Sequence, residues 1–271
     1  MTKYFYEKGK KINSHALYFY KCFFDKFTFD YNSDSIKQYE PKNKEESYKI
    51  QEIAYEYWVR EKLFGWKIAA TSKEGQMHIG VKGPMVGRLI RERLALNRQI
   101  ISLKYNQMKV VEAEFAFKLL NDLNPKYSKY TAEEVLENVE CVYPAIEIPD
   151  SRILNFNKAG ENFLIADNAC AGEYVIGENP IKEFKHIDFK NFKVDCYKND
   201  QFEDNGYGSN VLGSPINALK WLVNELGLYK VKLLKGQIVL TGTCVKPFTV
   251  APGDEVLMDF GELGKVSCSF N

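Results

Sequence analysis

The sequence predicts an α+β fold, in which a mostly helical region over residues 1–64 precedes a β-rich domain over residues 65–271. Two observations support this division. The first part contains a capping-box signature ahead of a helical apolar pattern, whereas the second contains several segments in which apolar and polar residues alternate, as in half-buried strands. With 271 residues, 45% of them apolar, the chain is long enough to bury a substantial core.

Charge and cysteine content narrow the classes of function. The 37 Lys and Arg residues balance the 36 Asp and Glu residues, so the overall charge favours neither nucleic acid nor an anionic membrane surface as a partner. No segment reaches the roughly 18 to 20 consecutive apolar residues of a membrane-spanning helix, which predicts a protein without a membrane partner. The six cysteines lack CxxC spacing and are expected to be reduced, buried thiols, which predicts a cytoplasmic location.

The first 64 residues contain one segment whose pattern does not decide between helix and strand, and one clear helix. His15 to Phe29 is rich in aromatic residues and is compatible with a helix or a strand; such a stripe is typical of a core or a subunit interface. Asn43 as N-cap and Glu46 as its capping-box partner predict a helix from Lys44 to about Leu63.

A buried lysine and a loop are predicted next. Gly65–Ala70 has the pattern of a short buried strand, and Lys67 within it requires a carboxylate or a bound anion unless its amine reaches the surface. The Gly, Lys and Pro residues of Thr71–Gly87 predict a loop that could act as a lid or binding loop. His78 in this loop is either solvated or an acid–base group; a histidine-based zinc site or a Ser-His-Asp triad is poorly supported by three scattered histidines.

Three glutamates form the strongest chemical signal. Val110–Lys118 alternates as a strand does, so Glu112 and Glu114 share one face, and Glu147 lies at the end of a second predicted strand, Val142–Ile148. These residues could be carboxylates on a solvated face. If they are buried, their repulsion requires a proton, water or a cation, and three carboxylates supply half the shell of Mg²⁺ or Mn²⁺.

The remaining elements follow from caps and alternation. Thr131 and Glu134 predict a helix through about Glu140, and Ser214-Pro215 predicts a helix that ends at Gly227. A small-residue turn is expected over 165–172. Strands are predicted at 173–176, within 188–204, and at 237–243, 255–260 and 265–270, the last two joined as a hairpin.

Seven motifs in order and spacing resemble a known family, the 2-keto-4-pentenoate hydratase / 4-oxalocrotonate decarboxylase family of the fumarylacetoacetate hydrolase superfamily. The resemblance covers about residues 44 to 270 and implies a mixed β-roll of the fumarylacetoacetate hydrolase C-terminal type and a homo-oligomer. The motifs are GWKIAATS, VEAEFAF, YPAIEIPDSRI, ADNACAGEYVIG, NVLGSPINALKWL, QIVLTGT and APGD.

The resemblance also implies a site and an activity. Glu112, Glu114 and Glu147 match the metal ligands, and Lys67 matches the catalytic lysine. The family's enzymes are lyases, hydratases or decarboxylases, that act on 2-oxo or 2-hydroxy-dienoic acids from aromatic catabolism through a metal-chelated enolate. The substrate pocket is expected to be lined by Thr71, Ser72, Asn168, Ala169, Thr241 and Gly242.

Two departures from the family pattern keep alternatives open. Met85 stands where the hydratases carry an aspartate that is thought to be catalytic, a position at which the decarboxylase branch tolerates an apolar residue. Cys170 replaces a small hydroxyl residue. The alternatives are a β-diketone C–C hydrolase of the same superfamily and a catalytically inactive or repurposed relative. The basic residues Lys82, Arg88 and Arg91 are expected either as surface charges or as partners of a second substrate carboxylate.

Overall fold

The computed structural model of the protein describes residues 2–25, 28–58 and 62–271, and of residues 2–11, 34, 35 and 58 only the backbone. The N-terminal part is mostly helical. Within the aromatic segment His15–Phe29, residues 15–25 belong to the first helix, residues 26 and 27 lie outside the described residues, and Phe29 begins a two-residue strand. The helices are α1 (Thr2–Asp25), α2 (Asp34–Lys37), α3 (Lys44–Trp58), α4 (Lys73–Ile79), α5 (Ala132–Leu136), α6 (Glu161–Ala166) and α7 (Pro215–Leu228).

The strands form one large mixed sheet and a smaller one. The large sheet has the order β3-β2-β12-β6-β7-β9-β4, with β13 pairing β6, and the smaller sheet has the order β11-β10-β14-β15-β5; β1 pairs β8 separately. The strands are β1 (Phe29–Asp30), β2 (Gly65–Ala69), β3 (Met85–Leu89), β4 (Leu94–Ala95), β5 (Ile100–Ile101), β6 (Val110–Leu119), β7 (Val139–Ile148), β8 (Ile153–Leu154), β9 (Glu173–Ile176), β10 (Lys193–Lys198), β11 (Gln201–Tyr207), β12 (Ile238–Thr243), β13 (Phe248–Thr249), β14 (Glu255–Asp259) and β15 (Lys265–Phe270).

Most predicted elements occur within one or two residues of their expected bounds, including the antiparallel β14–β15 hairpin. The ends of two helices and the start of one strand differ. The helix opened by Thr131 ends at Leu136, because β7 already begins at Val139. The helix that begins at Lys44 is described to Trp58; residues 59–61 lie outside the described residues, and Leu63 is not helical.

The prediction of a loop over Thr71–Gly87 is wrong. Ser72 accepts a hydrogen bond from the backbone N–H of Gly75 and opens α4, and Gly80 in the left-handed conformation (φ 70°) is the C-cap of this helix. Met85–Leu89 then forms β3, antiparallel to β2. Of the Gly and Pro residues that indicated a loop, Gly80 caps the helix and Gly83-Pro84 form the short connection to β3, whereas Gly75 lies within α4 and Gly87 within β3.

The outer edge of β3 is covered by polar side chains from α3. The hydroxyl of Tyr48 accepts from Val86 N at 3.2 Å, and the amide of Gln51 donates to Val86 O at 2.9 Å and to Ile165 O at 2.9 Å. Because edge strands expose unpaired backbone groups, these bonds replace a missing neighbouring strand. They tie the helical N-terminal part to the strand beside the candidate site.

Arg88 belongs to the same arrangement, so the expectation that it is a surface charge is wrong. Its side chain is buried, donates to Gln51 Oε1, and lies 5.0 Å from the centre of the Trp66 ring. Burial lowers the pKa of Arg88 to about 10, although nearby acidic residues partly oppose this. Lys82 and Arg91 are exposed, as a surface charge is.

The large sheet separates two apolar clusters, and this separation positions the site. On β6, Ala113, Phe115 and Phe117 point into the main core, which also contains residues of α1 and α3. Ala116 points to the opposite face, where it packs in a smaller cluster with Ala145, Tyr174 and Leu240. By strand alternation, Glu112 and Glu114 lie on the face of this smaller cluster. No helix among the described residues is long and apolar enough to cross a membrane.

Candidate metal centre

Strand register brings the three predicted glutamates together. In the antiparallel β6–β7 pair, Glu112 lies directly opposite Glu147, and Glu114 follows two residues later on the same face. Side chains directly opposite on neighbouring strands stand about 4.5–5.5 Å apart at Cβ, so the carboxylates converge. One oxygen from each of the three carboxylates lies within 4.8 Å of the others.

The oxygens of this cluster are incompletely satisfied by protein groups. Glu114 and Glu147 are buried, whereas Glu112 is partly exposed. Glu114 Oε2 accepts from Gly242 N at 2.8 Å, and Glu147 Oε1 lies 3.0 Å from Lys67 Nζ. Glu114 Oε1 and Glu147 Oε2 are buried without a hydrogen-bond partner among the described residues. Because unsatisfied buried acceptors are unfavourable, this donor set fits a hard divalent cation.

The electrostatics of the cluster also fit a bound cation. Burial and the neighbouring charge of Glu147 raise the pKa of Glu112 to about 7, against a smaller opposing effect of Lys67. Burial, with Glu147 and Glu112, raises the pKa of Glu114 well above its usual range. Without a cation, the cluster therefore holds protons that free carboxylates would have lost.

Lys67 projects from β2 into this cluster and not to the surface, so the alternative of a surface lysine is wrong. It is 1% exposed, and its Nζ contacts Glu147 Oε1 at 3.0 Å and donates to Ala169 O at 3.1 Å. Burial disfavours the ammonium form, but the carboxylates of Glu147, Glu112 and Glu114 outweigh burial, so the pKa of Lys67 is raised overall. The lysine is therefore held as a buried cation beside the glutamates.

Gly87 on β3 lies directly opposite Lys67 and leaves room for its side chain. A Cβ at this position would stand 2.5 Å from Asn168 O and 3.1 Å from two methylene carbons of Lys67. The sequence pattern assigns no role to this glycine, and the only signal for it is its place within GVKGPMVG. Glycine is thus required for the close approach of β3 to the lysine and to the carbonyl of Asn168.

The predicted lining residues divide into two groups. Two residues contact the charged side chains through their backbones: Gly242 N donates to Glu114, and Ala169 O accepts from Lys67. Thr71 packs against Gly242, where a Cβ would stand only 2.3 Å from the Thr71 hydroxyl oxygen. The other side chains are engaged elsewhere: Ser72 caps α4, Thr241 Oγ1 donates to Phe115 O at 3.1 Å, and the amide of Asn168 bonds the backbone of Arg88.

Met85, Cys170 and His78 occupy different environments. Met85 is fully buried opposite Ala69, on the same face of the sheet as Lys67. Cys170 is buried, and burial raises the pKa of its thiol to about 12, so it stays neutral. His78 is exposed on α4, as a solvated histidine is.

Comparison with known proteins places these features in a family context. The family model for the fumarylacetoacetate (FAA) hydrolase C-terminal region matches residues 94–271. The chain is 33% identical over 230 residues to 2-keto-4-pentenoate hydratase 1 of Dechloromonas aromatica strain RCB, which covers 84% of this chain and 86% of that protein. It is 30% identical over 237 residues to 2-oxo-hept-4-ene-1,7-dioate hydratase of Escherichia coli, with 83% and 86% covered.

Solved structures with the same fold include 4-oxalocrotonate decarboxylase from Pseudomonas putida G7, complexed with calcium and acetate in one structure and with magnesium and adipate in another. Each superposes with a TM-score of 0.85 at 21% identity, covering 97% of this chain and 98% of the other. A likeness at this identity shows the fold, and it confirms the predicted mixed β-roll.

Metal uptake should depend on pH. Because the raised pKa values leave protons on Glu112 and Glu114 without a cation, Mg²⁺ must displace them, and its affinity should rise as pH increases through about 7. Titration calorimetry in buffers of different ionisation enthalpy should show proton release on Mg²⁺ binding, and the part released by Glu112 should shrink as the pH rises above about 7. Equal affinity and no proton release across this range would contradict a protonated carboxylate cluster.

Proposed function

This chain belongs to the 2-keto-4-pentenoate hydratase / 4-oxalocrotonate decarboxylase family of the fumarylacetoacetate hydrolase superfamily, as its motifs predicted. On that premise we propose that it is a divalent-metal-dependent lyase acting on a 2-oxo- or 2-hydroxy-dienoic acid. The observation that carries the proposal is the buried cluster of three glutamates with Lys67 beside it. Buried charge of this density has to be compensated, and a divalent cation would compensate the negative charge that Lys67 leaves in excess.

In this proposal Glu112, Glu114 and Glu147 hold Mg²⁺ or Mn²⁺. Three carboxylate ligands leave positions on an octahedral cation for a chelating substrate and for water. The cation supplies Lewis-acid polarisation of the substrate's 2-oxo group. The 4-oxalocrotonate decarboxylase structures are complexes with calcium and acetate and with magnesium and adipate, which supports an oxygen-liganded divalent ion with an acidic substrate.

Lys67 then neutralises the substrate carboxylate. An ammonium has three N–H donors, and two of them have acceptors in Glu147 and Ala169. The third has no acceptor among the described residues and is open to an anion next to the glutamates. Because the ammonium is buried, its attraction for a carboxylate is stronger than it would be in water. Lys67 would therefore select acids over neutral ketones and hold the reacting carbonyl near the carboxylate cluster.

The pocket around these charges is proposed to include Thr71, Ser72, Asn168, Ala169, Thr241 and Gly242. Their contribution is mainly structural, since their polar groups fix the backbone around Lys67 and Glu114. Burial of Glu114, Glu147 and Lys67 keeps bulk water away from the reacting atoms. Exclusion of water strengthens each charge–charge interaction in the pocket.

Between the two lyase reactions, we propose decarboxylation of a 2-oxo-enedioate. In that reaction the C–C bond to the distal carboxylate breaks, CO₂ leaves, and the electron pair moves through the conjugated carbons to the 2-oxygen. No water needs to be activated. Met85, fully buried on the Lys67 face, brings neither a proton donor nor a group that orients water. Hydration would require both, and the relatives named as hydratases make it the second candidate.

Location and assembly complete the proposal. All six cysteines are free and buried, which supports a reducing, cytoplasmic location. Assembly into a homo-oligomer and the division between residues 1–64 and 65–271 stay predictions. A β-diketone hydrolase is not favoured, because His78 is exposed rather than placed among the buried carboxylates.

Replacing Lys67 should separate substrate binding from metal binding. Lys67→Met should leave Mg²⁺ affinity equal or higher, because a positive charge beside the site is removed. It should weaken oxalate binding to the Mg²⁺-loaded protein by about ten- to a hundredfold, since a hydrogen bond to a charged group contributes roughly 1.5–3 kcal/mol. Both affinities are measured by titration calorimetry.

Lys118→Met is the matched control for this variant. Lys118 lies on the same sheet face but is about one-third exposed and pairs with Glu140 at 3.0 Å. The Lys118→Met protein should bind oxalate with the same affinity as the wild type. If Lys67→Met also binds oxalate with wild-type affinity, Lys67 does not contact the substrate acid.

Met85→Asp should separate the two lyase reactions. If decarboxylation is native, a carboxylate introduced near the developing enolate should lower the turnover of 2-oxo-hex-3-enedioate, and Met85→Leu, a volume-conserving control, should retain it. Ultraviolet time courses with Mg²⁺ report both reactions. Hydration of 2-hydroxypenta-2,4-dienoate that increases by ~10²–10⁴-fold in Met85→Asp, with no wild-type decarboxylation, would instead identify a hydratase that lost its proton-transfer group.

A further inference from the structure

Three consecutive residues beside Lys67 adopt a left-handed backbone conformation, although none is glycine. The φ angles of Asn168, Ala169 and Cys170 are 61°, 51° and 58°. Residues with a Cβ visit this region singly and at an energetic cost, and runs of three are unusual. Such a turn persists only where surrounding contacts hold it, so the contacts around residues 168–170 identify what maintains it.

Arg152 spans the turn from one side. Its guanidinium donates to Asp167 Oδ1 at 2.8 Å, to the backbone carbonyl of Asp167, and to Ala171 O at 2.9 Å. These acceptors flank the three left-handed residues immediately before and after them. Both side chains are buried, with Arg152 5% and Asp167 3% exposed. A single planar group thus fixes both ends of the turn.

Asn168 fixes the turn from the other side. Its side-chain Oδ1 accepts from Arg88 N at 2.7 Å, and its Nδ2 donates to Arg88 O at 2.9 Å. The amide therefore bonds the edge of β3 as a neighbouring strand would. Between these two anchors, the carbonyl of Ala169 accepts the hydrogen bond from Lys67 Nζ at 3.1 Å.

We propose that Arg152 and Asn168 are positioning residues for Lys67: they hold residues 168–170 left-handed so that the carbonyl of Ala169 fixes the ammonium beside Glu147. If the turn relaxed to an ordinary conformation, this carbonyl would move away from Nζ and the ammonium would lose one of its two fixed acceptors. The positioning stands on the geometry alone. Its effect on catalysis rests on the proposed function of Lys67.

The test is the chemical reactivity of Lys67 in three variants. Arg152→Lys keeps a positive charge for Asp167, but a compact ammonium lacks the planar fork with which the guanidinium bonds Asp167 Oδ1, Asp167 O and Ala171 O through three separate nitrogens. Lys67 acetylation by acetic anhydride, quantified by peptide mass spectrometry, should then rise about tenfold, because the turn opens locally. Adding Ala169→Gly should recover at least half of the protection, since glycine adopts the left-handed conformation without strain.

Arg93→Lys is the matched control. Arg93 also pairs with a carboxylate at 2.8 Å, that of Glu173, and lies 4.7 Å from the Phe23 ring, as Arg152 does at 4.8 Å, but it does not contact the turn. Its replacement should leave Lys67 protected. A loss of packing common to both arginines would expose Lys67 in both variants and would overturn the proposal.

Two further results would also overturn the proposal. One is that Lys67 is acetylated as slowly in Arg152→Lys as in the wild type, and the other is that adding Ala169→Gly does not slow the acetylation again. If Arg152→Lys does not fold, Asn168→Ala provides the same test, because it removes the two bonds to Arg88 without leaving an unpaired charge. Labelling requires neither metal nor substrate, so it can succeed even if no lyase activity is found. Where activity is present, Arg152→Lys should lower kcat more than it raises KM.

Discussion

The ion pair between Lys67 and Glu147 is the interaction on which the rest of the site depends. Both groups are about 1% exposed, and their atoms stand 3.0 Å apart. Moving either charge from water to the interior costs several kcal/mol, so each is tolerable only with the other in place. The two residues are more than 70 positions apart in sequence and come together only through the strand order β2-β12-β6-β7. The same order determines where Glu112 and Glu114 stand, and β3 adds Gly87, whose missing side chain leaves space for the lysine.

This pair does not neutralise the cluster. Three carboxylates and one ammonium, all ionised, carry −3 and +1, which leaves a net charge of −2. Protonation removes part of the excess without a cation, as the raised pKa values of Glu112 and Glu114 indicate. A divalent cation removes it completely and also supplies the partners that Glu114 Oε1 and Glu147 Oε2 lack among the described residues. Charge balance and oxygen coordination thus lead independently to the same ligand class, which is why a metal-dependent reaction explains the site better than a solvated acidic face does.

The sequence predicts the structure correctly where a local pattern determines it. Period-two alternation placed Glu112 and Glu114 on one face, and capping residues located α3, α5 and α7. It does not predict features that depend on contacts between distant parts of the chain. The β3 strand was missed because its Gly and Pro neighbours resemble a loop, while its edge is completed by Gln51 and Tyr48 from another part of the chain. The sequence predicts a small-residue turn over 165–172, but the left-handed conformation of residues 168–170 depends on Arg152 and on the backbone of Arg88, which no local signal reveals.

The most direct test of this account is whether the buried glutamates bind a divalent cation. Titration of Mg²⁺ and Mn²⁺ into Glu112→Gln and Glu147→Gln should show affinity losses larger than the roughly 10- to 100-fold typical of losing a group outside the ligand set. Glu140→Gln, on the same strand as Glu147 but about one-third exposed and paired with Lys118, should bind as the wild type does. Unchanged affinity in both Glu112→Gln and Glu147→Gln would contradict the assignment of a metal centre to this sheet face.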